Sequence, residues 1–218
     1  MKEARWICGL DLSGPANPGH TVLAWFSSED EHLTYRSALC PAGDADIVKK
    51  VEELAGSGPV AVGIDAPLSY RDGGGMRPCD QKLAEALKEA KMNFVGVMAP
   101  TMVQMVYITL RGIGLARTLG LVTHGGVRTV EVHPGAVMAL GGASRAALKQ
   151  YKKSEKPLPE LRDWLSEQGL HELPPDSFGT SHRIDAAAAA LGVWKWLLGE
   201  SVWLAAAQPP QRPYDFAC

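Results

Sequence analysis

Trp6-Ile7-Cys8-Gly9-Leu10-Asp11-Leu12-Ser13-Gly14 and Val60-Ala61-Val62-Gly63-Ile64-Asp65-Ala66-Pro67 are the stretches whose reading decides the fold. Each is a short run of apolar and β-forming residues that reaches an aspartate and then breaks into turn residues. Such runs predict buried strands, here over 6–12 and 60–65. The second is apolar without alternation, as expected of a central parallel strand covered on both faces.

Outward from these, 21–26 and 32–39 read as two further strands around a polar turn at 27–31. Short turns between the first three strands predict antiparallel pairing. Asp44 starts a helix with Ile47, Val48, Val51, Leu54 and Ala55 at helical spacing, stopped by Gly56-Ser57-Gly58-Pro59. After an irregular segment at 66–78, helices are expected over 80–90 and 101–119, the latter with Met102, Val106, Thr109, Ile113 and Ala116 on one face. Residues 127–133 alternate as a fifth strand, and Pro134 opens a helix where its missing N–H costs nothing. The pattern from 144 to 168 is helical with a break at 156–159, 181–198 is a strong helix, and the Pro-rich tail at 208–213 reads as extended. The order predicts one α/β domain spanning 1–218. Its mixed five-stranded sheet has three antiparallel strands and then parallel additions, helices flank it, and 144–175 forms a helical insertion or cap.

Composition narrows the class. With 218 residues, 46% hydrophobic and 21% charged, the chain can bury a core and is neither a disordered tail nor a small stapled scaffold. A net charge of -2 argues against a surface coated in Lys and Arg for bulk nucleic-acid binding. The window 145–162 is locally basic: Arg145, Lys149, Lys152, Lys153, Lys156 and Arg162 stand against Glu155 and Glu160. Such a run is ordinarily a solvated helix face; beside a catalytic site, Lys149, Lys152 and Lys153 would suit a phosphate backbone. Tyr151 and Trp164 would serve either base stacking or the core. Four cysteines without a CxxC pair point to reduced thiols and a cytoplasmic protein. The N-terminal apolar stretch is too short for a signal peptide. The run 186–194 falls short of the ~20 apolar residues of a span, so no membrane association is expected.

The acids carry the chemistry. A carboxylate at the end of a buried strand is costly unless it is paired or binds a cation, and ligand sites of open α/β sheets lie at these strand ends. Asp185, in Ser181-His182-Arg183-Ile184-Asp185-Ala186, shares a helix face with His182, above the small residues Ala188, Ala189 and Gly192 that would let the helix lie close to a sheet. Glu131 and His133 share a face of the fifth strand with Thr129. Each acid taken alone also fits a turn, a cap or a solvent-facing edge. Carboxylates with one imidazole suit Mg²⁺ or Mn²⁺, and several around a pair of ions form the phosphoryl-transfer clamp of nucleases.

Gly-Leu-Asp-Leu-Ser-Gly at 9–14, Gly-Ile-Asp-Ala-Pro-Leu-Ser at 63–69, Arg77-Pro78-Cys79-Asp80, Glu131-Val132-His133-Pro134 and the His182-x-x-Asp185-Ala186 helix resemble the domain of unknown function 429 family, from about residue 6 to about residue 200. Its members are regarded as predicted nucleases of the ribonuclease H-like fold. The resemblance implies matched roles for Asp11, Asp65 and Asp185. The His-x-x-Asp spacing, similar to that of some Holliday-junction resolvases, implies metal binding or proton transfer for His182. Glu131 has no counterpart among the usual carboxylates of those resolvases.

The expectation is thus a hydrolase, a divalent-metal-dependent nuclease using Mg²⁺ or Mn²⁺. Asp11 would bridge two ions, and Asp65 and Asp185 would each hold one. Glu131 would be an auxiliary ligand or base, and His182 would move a proton. Arg77 would join the lysines on the substrate, or simply pair with Asp80 at a helix start. A ribonuclease H-like scaffold that binds nucleic acid or a partner without cutting is the alternative. The segment 9–14 is also similar to the first phosphate loop of actin-like ATPases and sugar kinases, which duplicate this fold. A chain of this length without a second such start leaves a nucleotide-dependent phosphotransferase as the lesser reading. Asp72-Gly73-Gly74-Gly75-Met76 lacks the Lys-Ser/Thr of a phosphate loop.

Overall fold

Period-two alternation along the first strand sets the layers. In β1 (Trp6–Asp11), Cys8 and Leu10 enter one core and Ile7 the other, and Gly9 and Asp11 share the face of Ile7. β4 (Val60–Asp65) lies parallel to β1 and repeats the pattern in register, Gly9 opposite Gly63 and Asp11 opposite Asp65. The computed structural model describes residues 4–29 and 31–218. Asp30, within the expected 27–31 turn, lies outside them, as do Met1, Lys2 and Glu3.

The remaining elements, in chain order, are β2 (Val22–Glu29), β3 (His32–Leu39), α1 (Asp44–Ala55), α2 (Pro78–Glu89), α3 (Val103–Val122), β5 (Val127–Val132), α4 (Pro134–Leu140), α5 (Arg145–Gln150), α6 (Leu158–Glu167), β6 (Leu170–His171), α7 (Ser181–Leu198), β7 (Leu204–Ala205) and β8 (Phe216–Ala217). The sheet runs β6-β3-β2-β1-β4-β5-β8-β7. β2 is antiparallel to both β1 and β3, whereas β4 and β5 are parallel additions.

The five expected strands are thus the contiguous centre of a larger, eight-stranded sheet. The three additional strands are two residues long and too short to show any alternation. Two come from the tail, which is not simply extended: Gln208 and Arg212 form an antiparallel bridge, and the returning chain lays β8 between β5 and β7.

Helix α7 covers the centre of the sheet, and glycine makes that possible. A Cβ on Gly9 would stand 1.8 Å from the Ala186 carbonyl oxygen, and one on Gly63 would stand 2.5 Å from that of Ala189. The helix backbone therefore rests on the strand backbone, with a buried alanine run, Ala186–Ala190, between them. Thr180 caps α7 by accepting from the Arg183 N–H at 3.4 Å. Gly199 ends it in the left-handed region, at φ 76°.

The opposite face of the sheet packs on α1 and α3. The buried side of α3 is Thr109, Gly112, Leu115, Ala116 and Leu119, whereas Met102 of the expected face is exposed. Gly112 decides the rotation: a Cβ there would lie 2.8 Å from that of Ala66. By length and composition alone α3 would pass for a membrane span. Its Arg111 is nonetheless tied to Asp44, to the Ser13 and Ala42 carbonyls and to Thr21. Between α5 and α6 the break falls at 151–157, ahead of the expected place, because Pro159 sits in the first turn of α6 rather than interrupting it. Beyond α6, β6 pairs in parallel with β3 at the sheet edge.

Candidate active site

The two strand-end aspartates lie side by side. Asp11 and Asp65 are opposite each other across β1 and β4, on the face that carries Gly9 and Gly63. The close seat of α7 on those glycines brings Asp185, one residue before Ala186, to the same place. Asp185 is 1% exposed and Asp11 6%.

Each acid meets a different neighbour. Asp11 Oδ2 accepts from His182 Nδ1 at 2.8 Å, and the His182 ring stacks on His20. Asp185 Oδ1 accepts from the Tyr151 hydroxyl at 2.9 Å, and its Oδ2 is ion-paired with the Lys152 ammonium. Asp65 sits beside Asp11 in the parallel register and feels its charge.

The electrostatics follow from crowding. Burial, then the charges of Asp11 and Asp185, push the Asp65 carboxyl well above the ordinary range. Burial raises Asp185 to about 6, with Lys152 opposing and Asp11 adding to the rise. The hydrogen bond to Asp11 raises His182 against a smaller effect of burial. Burial lowers Lys152, but Asp185 and Asp11 outweigh it, so the ammonium is held charged. Asp11 thus has His182 as its partner and Asp185 has Lys152, while the third carboxyl, Asp65, is pushed toward its neutral form.

Glu131 has different partners from the three aspartates, although it lines the same cavity as Asp65. The register places it beside Ile64, so it shares the opposite face of the sheet from Asp65. There it receives the Leu68 N–H at 2.9 Å and the buried Arg77 guanidinium, which donates to Glu131 Oε2 at 2.9 Å and to Asp80 Oδ1 at 2.6 Å. Arg77 also reaches the Ser69 hydroxyl at 3.0 Å and is 4% exposed. It is paired with both Asp80 and Glu131, binding α2 to β5 at the wall of the cavity beside Asp65. Burial raises Glu131 despite Arg77. The paired-at-the-helix-start reading of Arg77 and Asp80 is what the contacts show, at a buried position instead of the surface.

A cavity of about 340 Å³ opens beside Asp65 at the carboxyl edge of β4 and β5. Phe94, Val97, Met105, Ile108 and Leu148 give it apolar walls, and its polar lining is Asp65, His133, Tyr151 and Lys152 together with the Arg77, Asp80 and Glu131 cluster. His133, on the end of the expected fifth strand, caps α4 by accepting from the Ala136 N–H, and its Nε2 lies 3.0 Å from the Gly96 carbonyl, fixing the 92–98 segment over the cavity. Lys149 and Arg145 lie over the Phe94 ring, at 5.4 and 5.9 Å from its centre. Lys153 is exposed in the turn after α5. Of the basic window, then, Lys152 enters the acid site, Arg145 and Lys149 lie over the Phe94 ring of the cavity wall, and Arg162 pairs with Asp163.

Tyr151 and Lys152 were not legible as partners of Asp185, which lies more than thirty positions away in sequence. The only hint is physical: a buried acid needs a cation, and 145–153 is the nearest basic run in the chain. As they stand, no three His, Cys, Asp or Glu side chains among the described residues are grouped to hold a metal ion. The donors are nonetheless those of a hard cation: three carboxylates at one point, one of them without a cation of its own.

Residues 9–210 match the model of a family described as Protein of unknown function (DUF429). Neither the curated proteins nor the solved structures contain a match.

Proposed function

We propose that this chain, which belongs to the DUF429 family, is a ribonuclease H-like hydrolase that cleaves phosphodiester bonds of a nucleic acid with Mg²⁺ or Mn²⁺. The observation that carries the reading is the register of Asp11 against Asp65 at the ends of adjacent parallel strands, with Asp185 delivered to the same point by α7. The central β3-β2-β1-β4-β5 run, antiparallel on one side of β1 and parallel on the other, supports the fold assignment.

Asp11, Asp65 and Asp185 would hold the metal. When bound, a divalent ion of this kind neutralises phosphate charge and makes water acidic enough to attack. The chain supplies the rest. Asp11 fixes the His182 ring through Nδ1 and leaves the other ring nitrogen for the substrate. Because Asp11 also raises its pKa, the imidazolium form of His182 is favoured and is suited to protonate the leaving oxygen. Tyr151 keeps one Asp185 oxygen in place from a buried position. Arg77 orients Glu131 and the start of α2 at the wall of the cavity. Arg145 and Lys149 would meet the phosphate backbone at the rim of the cavity.

One observation favours a second reading. Lys152 balances Asp185 without a metal, as it would in a ribonuclease H-like scaffold that binds a nucleic acid or a protein without cutting it. A cleavage screen on RNA, DNA and branched DNA, with and without Mn²⁺, separates the two. Mn²⁺-dependent cleavage lost in Asp65→Asn supports the hydrolase. Binding without cleavage under every condition supports the scaffold.

A further inference from the structure

We propose that Lys152 is the site's exchangeable counter-ion: it holds the cation position at Asp185 in the metal-free protein, and a divalent metal displaces it to the substrate side of the cavity. This rests on the metal-site reading above, but it concerns a residue that the reading does not require.

The two donors on Asp185 are unlike. Tyr151 is 7% exposed and fixed in the core, whereas the Lys152 side chain is 52% exposed although its partner is 1% exposed. The ammonium therefore enters a buried acid from solvent, on a flexible stem rooted in the turn that follows α5. It can leave without unfolding anything. A side chain half exposed along its length has a path for its ammonium back to water, whereas the carboxylate it leaves behind must find another cation. A divalent ion held by these carboxylates would supply one and would disfavour the ammonium beside it.

Release would not carry Lys152 out of the site. Its side chain also lines the cavity beside Asp65, so the freed ammonium faces the space where a scissile phosphate would lie, near Lys149 and Arg145 on the Phe94 ring. The same residue would guard the empty site against uncompensated carboxylates and serve the phosphate in the loaded one. The expectation that Lys152 contacts the substrate backbone is then fulfilled only after metal entry.

Two measurements on the full chain test this. The first is Mn²⁺ calorimetry on wild type, Lys152→Met and Lys152→Arg. Lys152→Met is expected to bind Mn²⁺ at least about fivefold tighter, and Lys152→Arg no tighter than wild type. The second is the rate of amine acetylation at each lysine, read by mass spectrometry with and without Mn²⁺. Lys152 is expected to react severalfold faster with Mn²⁺, while Lys149 and Lys153 do not change. Mn²⁺ binding that is equal or weaker in Lys152→Met, with Lys152 no more reactive in the presence of metal, overturns the exchange and leaves the metal site standing. No Mn²⁺ binding to wild type or to either variant overturns both.

Discussion

His182 Nδ1 lies 2.8 Å from Asp11 Oδ2, joining the start of the last long helix to the end of the first strand. The contact depends on backbone packing elsewhere: α7 can bring His182 and Asp185 to β1 only because Gly9 and Gly63 present no side chain to it.

The imidazole should titrate accordingly. Asp11 raises His182 above its ordinary 6.5, chiefly through the hydrogen bond. Its contribution to stability is then complete below about pH 6.5 and is lost as pH rises through the raised folded value. In a histidine NMR titration, His182 is expected to have a midpoint above 6.5 in wild type and a lower one in Asp11→Asn. An unchanged midpoint in the variant would show that the carboxylate does not set the protonation of the ring.

The crowded carboxyls act through the same linkage. Asp65 and Asp185 are both raised, Asp185 to about 6, by burial first and then by neighbouring acids. Their folded values exceed the unfolded ones, so they favour the fold at low pH. That contribution is lost as pH rises from about 4 through the folded values. Thermal melts of the metal-free protein should show Asp65→Asn gaining on wild type between pH 5 and pH 8. A gain of about 1–2 kcal/mol would raise the midpoint by a few degrees in a chain of this length. A variant less stable than wild type at pH 8 would mean that Asp65 is already compensated.

Gly9→Ala is expected to be severe. Its methyl would stand 1.8 Å from a helix carbonyl, and neither backbone can yield without moving the whole contact. A loss of about 3 kcal/mol or more follows, with Asp185 displaced from Asp11. Gly14→Ala, with nothing within 4 Å of the new methyl, should stay within about 0.5 kcal/mol. Chemical denaturation of the pair checks this, and equal stabilities would contradict the seat of α7.

Arg77→Met should cost about 3–5 kcal/mol, because it leaves Glu131 and Asp80 buried without their cation. The double variant Arg77→Met with Glu131→Gln should recover part of that loss. If urea melts show the double variant adding the two single losses, the pair is not acting as one unit.

The acid site was legible where local pattern and topology coincide. Asp11 and Asp65 end apolar runs, and Asp185 sits above a small-residue stripe, so position along the chain was enough to single them out. The pairing of Glu131 with Arg77 was not legible because alternation shows which residues share a face but not which face the neighbouring strand presents. That depends on the register of Ile64 against Glu131. The partnership of Tyr151 and Lys152 with Asp185 is a long-range contact with no local signature. The extra strands are too short for periodicity, and the rotation of α3 is set by the single glycine that lets it approach Ala66.

The central claim is a carboxylate site that cleaves phosphodiesters with a divalent metal. The most direct test is the rate of cleavage of end-labelled RNA, DNA and branched DNA in Mn²⁺ by wild type and Asp65→Asn. Wild type should cleave at least one substrate only when the metal is present, and Asp65→Asn should lower that rate by more than about 100-fold while remaining folded. Failure of wild type to cleave any of the three, or equal rates in the variant, would contradict it.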